Sequence, residues 1–118
     1  MVMAGLQLLL QTDPELTVIG KARNRSEALL GARAKPDVIL LDLHLGTESS
    51  PDFLPELMMA SDGARVLAVT GISDPDLHLR AVCLGAVGLV HKLEAPTVLL
   101  KAIRKVHAGE VWVNRTMI

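Results

Sequence analysis

Three residues able to handle a charged group, Asp42, Thr70 and Lys92, each stand at the far end of a short apolar run. The runs are Val38-Ile39-Leu40-Leu41, Val66-Leu67-Ala68-Val69 and Gly88-Leu89-Val90. An aspartate can attack phosphorus and hold the product as an acyl phosphate. An ammonium and a hydroxyl donor then stabilise the new negative charge. Each residue also has an ordinary use: an Asp after a strand caps a turn or meets a surface cation, Thr is common in strands, and a Lys at a strand end is usually solvated. Singly none of them decides. Together, at three successive strand ends, they favour one shared site.

The elements that would position them follow from the spacing of apolar residues and from the turn formers. The run after Pro36 fits a strand covered on both faces, as in a parallel sheet, and in open α/β sheets reactions sit beyond the carboxyl ends of such strands. Val2, Leu6, Leu9 and Leu10 predict a starting helix, which Pro14 stops. Leu16-Thr17-Val18-Ile19-Gly20 predicts a strand. Asn24 with Glu27 is a capping-box pattern that predicts a helix with an apolar stripe of Ala28, Leu29 and Ala32, closed by Lys35-Pro36. Phe53, Leu54, Leu57 and Met58 predict a helix whose regular part begins near Pro55.

Asp74-Pro75 and Gly85 bracket a helix over 75–84. After the strand 88–92, Pro96 opens a last helix in which Leu99, Ala102, Ile103 and Val106 repeat at helical spacing, with Gly109 stopping it. Val111-Trp112-Val113 is a short apolar tail. The order α-β-α-β-α-β-α-β-α predicts a parallel sheet of four strands with helices on both faces, in one domain over 1–118.

Composition narrows the classes of function. The 118 residues are 50% hydrophobic, enough for a real core. Twelve basic and 13 acidic residues give a net charge of -1, which leaves no electrostatic footprint for nucleic acid or membrane. One Trp, one Phe and no Tyr leave no aromatic rows on which bases could stack. Cys83, the single cysteine, makes no internal disulfide and is expected to be a small buried hydrophobe. No signal peptide and no run of 18 apolar residues is present, so the cytoplasm is the expected compartment. His44, His78, His91 and His107 show no metal-site spacing and are expected at the surface or half-buried. Met58-Met59 is expected in the core. No Gly-rich phosphate loop follows any strand, against a nucleotide- or flavin-binding domain.

Pro36-Asp37-Val38-Ile39-Leu40-Leu41-Asp42, Val66-Leu67-Ala68-Val69-Thr70 and Gly85-Ala86-Val87-Gly88-Leu89-Val90-His91-Lys92 form one set of motifs. With the closing stretch from Leu99 to Trp112, they give a sequence that resembles the receiver domain of bacterial two-component response regulators, of the LuxR/NarL-type subfamily. The resemblance covers essentially the whole chain. It implies a flavodoxin-like (CheY-like) doubly wound parallel sheet and a signalling module rather than an enzyme. By position, Asp42 would take a phosphoryl group from a phosphohistidine on a sensor histidine kinase, Thr70 would be the switch hydroxyl, and Lys92 the phosphate-sensing cation.

The resemblance also implies Mg²⁺, held in the family by paired acidic residues ending a first strand, by the phosphoacceptor, and by the backbone carbonyl two residues on. Asp42 and the carbonyl of His44 have counterparts here; the acidic pair has none. Leu89 stands where the family usually has an aromatic, and Gly46 and Ser50 where it usually has Pro and Gly. The implied partners are the kinase, a second copy through the helix-strand-helix face of residues 75–108, and DNA only through an output domain that these residues do not contain, with no membrane contact. A phosphorylation-independent receiver-like interaction module is the alternative.

Overall fold

The three apolar runs become strands β1 (Val38–Asp42), β2 (Arg65–Thr70) and β3 (Gly88–His91). The computed structural model describes residues 14–22, 25–43, 52, 54–71, 75–91 and 96–112. Within them the strands lie parallel in the order β1-β2-β3. The first ladder runs from Val38 beside Arg65 to Asp42 beside Val69, and the second from Leu67 beside Gly88 to Thr70 beside His91. Nearly unbroken apolar runs suit these positions because both faces of the sheet are covered.

Among the described residues four helices do the covering: α1 (Arg25–Ala32), α2 (Leu54–Ala60), α3 (Pro75–Cys83) and α4 (Pro96–His107). On one face, Ala32, Leu54, Leu57 and Ala81 of α1 to α3 close over Leu41, Val66, Ala68 and Leu89. On the other, Leu99, Ala102, Ile103 and Val106 of α4 close over Leu67 and Val90. The strand alternation of two divides neighbouring residues between the layers, so Val66 and Leu67 belong to different cores. Each large aliphatic buried in this way contributes about 1.5–3 kcal/mol.

Helix ends follow the sequence with local shifts. α1 stops at Ala32, and the N–H groups of Arg33, Ala34 and Lys35 turn back to the carbonyls of Leu30, Gly31 and Ala32. Pro36 disfavours right-handed helical geometry in the residue before it, and Lys35 takes φ 57. α2 starts at Leu54, which puts Pro55 in the first turn, where its missing N–H removes no helical bond. Ser61 finishes this helix: its hydroxyl donates to the Met58 carbonyl at 3.2 Å and accepts from the Ala64 N–H at 3.1 Å. The expected helix over 1–11 and the caps Asn24 and Asp74 lie outside the described residues.

Four expectations are corrected. Leu16–Gly20 forms no ladder among the described residues; Leu16 and Val18 instead pack by their side chains against the α4-side core, and Glu15 pairs with Arg104 at 3.6 Å. A strand exists through its neighbour's hydrogen bonds, and an alternating sequence cannot provide those by itself. Cys83 is exposed and His78 is buried. The inward stripe of α3 passes through His78 and Ala81, and Cys83 lies roughly 140° round the helix from His78. Met59 is 84% exposed although Met58 joins the core. It stands two residues past Leu57, about 200° round α2.

Candidate functional site

A parallel sheet gathers its carboxyl ends on one edge, and this one delivers Asp42 and Thr70 there. Asp42 closes β1 with 4% of its surface exposed, and Thr70 closes β2 fully buried. The ladder continues past Asp42, since the Leu43 N–H donates to the Val69 carbonyl at 3.0 Å. Asp42 is therefore held by backbone on both sides of its own residue, at the sheet's rim. Register puts Thr70 one residue further along that rim than the Asp42–Val69 pair. β3 reaches the same edge at His91, and Lys92 follows it in sequence.

The expected residues divide accordingly. Asp42 and Thr70 come to one edge; Lys92 and His44 lie outside the described residues. A carboxylate so nearly removed from water needs donors or a cation to hold its charge. A carboxylate oxygen can serve as the nucleophile in acyl phosphate formation, and a neighbouring hydroxyl can donate to the group it would carry.

His91, expected inside the strand 88–92 and at the surface or half-buried, was given no place at the site. It is half-buried, and the register makes it the cross-strand neighbour of Thr70. Among the described residues no three His, Cys, Asp or Glu side chains converge as a metal site. The described carboxylates thus do not by themselves make the oxygen-rich shell that Mg²⁺ demands.

Electrostatic contacts elsewhere fasten helix to helix. Arg25 of α1 pairs with Glu56 of α2, and Arg80 of α3 pairs with Asp52 just before α2. The hydrogen bond from Arg25 holds the Glu56 carboxyl below its ordinary range, against an opposing effect of desolvation, with the guanidinium charge adding to the lowering. An open groove of about 670 Å³ runs between α1 and α2 past Leu29, Leu30, Arg33 and Met59. It contains neither Asp42 nor Thr70 and is not part of this site. No helix among the described residues is long and apolar enough to cross a membrane.

Comparison with known proteins agrees with this geometry. Residues 1–104 match the response regulator receiver domain family. The DNA-binding transcriptional activator DevR/DosR of Mycobacterium tuberculosis is 34% identical over 106 residues, covering 89% of this chain and 49% of that protein. The nitrate/nitrite response regulator NarL of Escherichia coli is 29% identical over 118 residues, covering 99% and 55%. The chain thus spans about half the length of the curated relatives it matches. A LuxR-family two-component response regulator from Aurantimonas superposes with a TM-score of 0.86 at 26% identity, covering 96% of this chain and 81% of that one. A response regulator from Burkholderia pseudomallei, crystallised with a phosphorylated aspartic acid, calcium ion and citrate, superposes with a TM-score of 0.75 at 28% identity, covering 89% and 61%.

Proposed function

This chain belongs to the receiver domain family of two-component response regulators, and from that premise we propose that Asp42 is its phosphoacceptor. A carboxylate oxygen of Asp42 attacks the phosphorus of a kinase phosphohistidine. The phosphorus–nitrogen bond breaks and its electron pair returns to the imidazole nitrogen, which takes up a proton. The acyl phosphate so formed carries a dianionic group at the sheet edge. The Thr70 hydroxyl donates to one of its oxygens, and the Lys92 ammonium neutralises part of its charge.

The observation that carries the reading is a nearly buried aspartate and a buried threonine ending adjacent parallel strands on the same edge. The phosphorylated aspartic acid of the Burkholderia pseudomallei relative supports it. Receiver domains of this family typically use Mg²⁺; Asp42 and the His44 carbonyl are the groups proposed to meet the ion here. The kinase, a transcriptional output through a DNA-binding domain of a longer protein, a cytoplasmic location and self-association through residues 75–108 belong to the same proposal. Leu79, 55% exposed on α3, is an apolar group on that last surface.

Incubation with acetyl phosphate and Mg²⁺ followed by intact mass tests the central claim. One added phosphate is expected on the folded chain and none on Asp42→Asn. An unmodified folded chain, or equal addition to Asp42→Asn, refutes the phosphoacceptor role and favours a phosphorylation-independent interaction module.

A further inference from the structure

α4 does not simply end. The Glu110 N–H bonds back to the Lys105 carbonyl at 3.0 Å and the Gly109 N–H to the Val106 carbonyl at 3.1 Å, with Gly109 at φ 95. These paired bonds reverse the chain after a helix, and the left-handed residue they need is the one without a Cβ. Lys105 and Glu110 also pair across the reversal at 3.5 Å. The chain is thereby returned to the outer edge of β3.

There Trp112 forms a single parallel bridge with Gly88. Its N–H donates to the Val87 carbonyl at 2.9 Å, and its carbonyl accepts from the Leu89 N–H at 2.8 Å. Gly88 allows this approach. A Cβ at that position would come within 2.9 Å of the Trp112 carbonyl oxygen and 2.7 Å of a Leu67 methyl. The half-buried indole packs against the α4-side core, with the Lys101 ammonium 5.9 Å from its ring centroid.

We infer that Val111-Trp112 is a releasable strap on the edge of β3, coupling that strand's state to the path of the chain beyond residue 112. Among the described residues, two backbone hydrogen bonds and the Trp112 ring hold it, a grip small enough to open well before the domain unfolds. Val111, 71% exposed, adds little to the hold. β3 is also the strand that leads to Lys92, and Leu89, whose N–H the strap binds, precedes Lys92 by three residues. If Lys92 engages a phosphoryl group on Asp42, as proposed above, its pull passes through the strand that the strap grips. By linkage, strap release acts back on the site. The coupling to phosphate rests on the function proposed above; the strap itself does not.

The test follows amide hydrogen exchange at Leu89 and Trp112 by NMR on the 118-residue chain, with Val87, whose N–H bonds to Val66, as the internal reference. Gly88→Ala is expected to speed exchange at both strap amides about tenfold relative to Val87, the effect of losing the two bonds. Because the new methyl also meets Leu67, Lys101→Ala serves as the second variant. It is expected to speed the same amides roughly threefold and to raise acrylamide quenching of the chain's one tryptophan. Lys92→Ala, one residue beyond β3 in sequence, is expected to shift strap exchange by about threefold or more.

Strap amides exchanging at unfolded rates in the unaltered chain would overturn the strap. Unchanged strap exchange in Lys92→Ala, with Val87 steady, would overturn the coupling. A phosphodonor arm, monitored by mass, is expected to shift the same amides. Failure to add phosphate there counts against the phosphoacceptor reading, while exchange at the strap amides of the unaltered chain still decides the strap.

Discussion

β1 and β2 are similar apolar strands, each ending on a candidate site residue, yet they are buried very differently. Val66 to Thr70 of β2 are all buried, whereas Val38, Ile39 and Leu40 of β1 are half-buried and only Leu41 and Asp42 are closed off. By side-chain size β1 is the more apolar of the two. The difference comes from neighbours: β2 has a ladder on each side, while among the described residues β1 pairs with β2 alone. Burial therefore reports where a strand stands, not how greasy it is. Within β1 it also increases toward Asp42, so the strand is best packed at its chemical end.

Leu40 and Leu67 give the sharpest test of this contrast, being the same residue type, register partners and members of the same core. Leu67→Ala is expected to cost about 2–5 kcal/mol in urea unfolding, the usual effect of emptying a fully buried leucine site. Leu40→Ala is expected to cost roughly half as much or less, because water already reaches the side chain and the surroundings can close in. Equal losses would break the comparison.

Thr70→Val comes next. It keeps the shape of a fully buried side chain and removes its hydroxyl. A loss of about 1–2 kcal/mol is expected by thermal or urea unfolding, since the group that hydroxyl engages loses its partner. Under the proposed function, the same variant still accepts phosphate on Asp42 but transmits it poorly. The same one-phosphate mass increment as in wild type, together with a blunted phosphate-dependent change in size-exclusion behaviour, is the expected pair of results.

The smallest effect concerns the helices beside β1. Arg25 keeps the Glu56 carboxyl ionised below its ordinary range. A lowered folded-state value means that this contribution is present at neutral pH. It is lost as the pH falls below the ordinary glutamate range and through the lowered value. Both partners are more than two-fifths exposed, so solvent and salt screen the pair. Glu56→Gln is expected to leave neutral-pH stability nearly unchanged at physiological salt and to flatten the acid limb of a melting-temperature profile at low salt. A large loss at neutral pH would show that α1 is held by charge rather than by Ala28, Leu29 and Ala32.

Much of this molecule was legible from residue spacing. The alternation of helices and strands, the three strands that end on Asp42, Thr70 and before Lys92, and the inward stripe of α4 are local patterns. Backbone geometry converts them into elements whatever surrounds them. Pro36, Pro55 and Gly109 mark boundaries for an equally local reason, since each restricts or frees its own backbone.

What the pattern could not supply is the identity of the neighbour. Leu16–Gly20 reads as a β-branched strand but makes no ladder among the described residues, and Cys83 and His78 exchange the places that polarity alone assigns to them. Trp112, read as a tail, instead closes the edge of β3. Residue spacing fixed the types and order of the described helices and of the three strands, and a shared edge for Asp42 and Thr70. Tertiary structure decided which faces are buried, that Asp42 sits in the firmest part of its strand, and that the chain returns to β3 after its last helix. Hydrogen-bond ladders and burial are contracts between segments far apart in sequence, and no local window contains both parties.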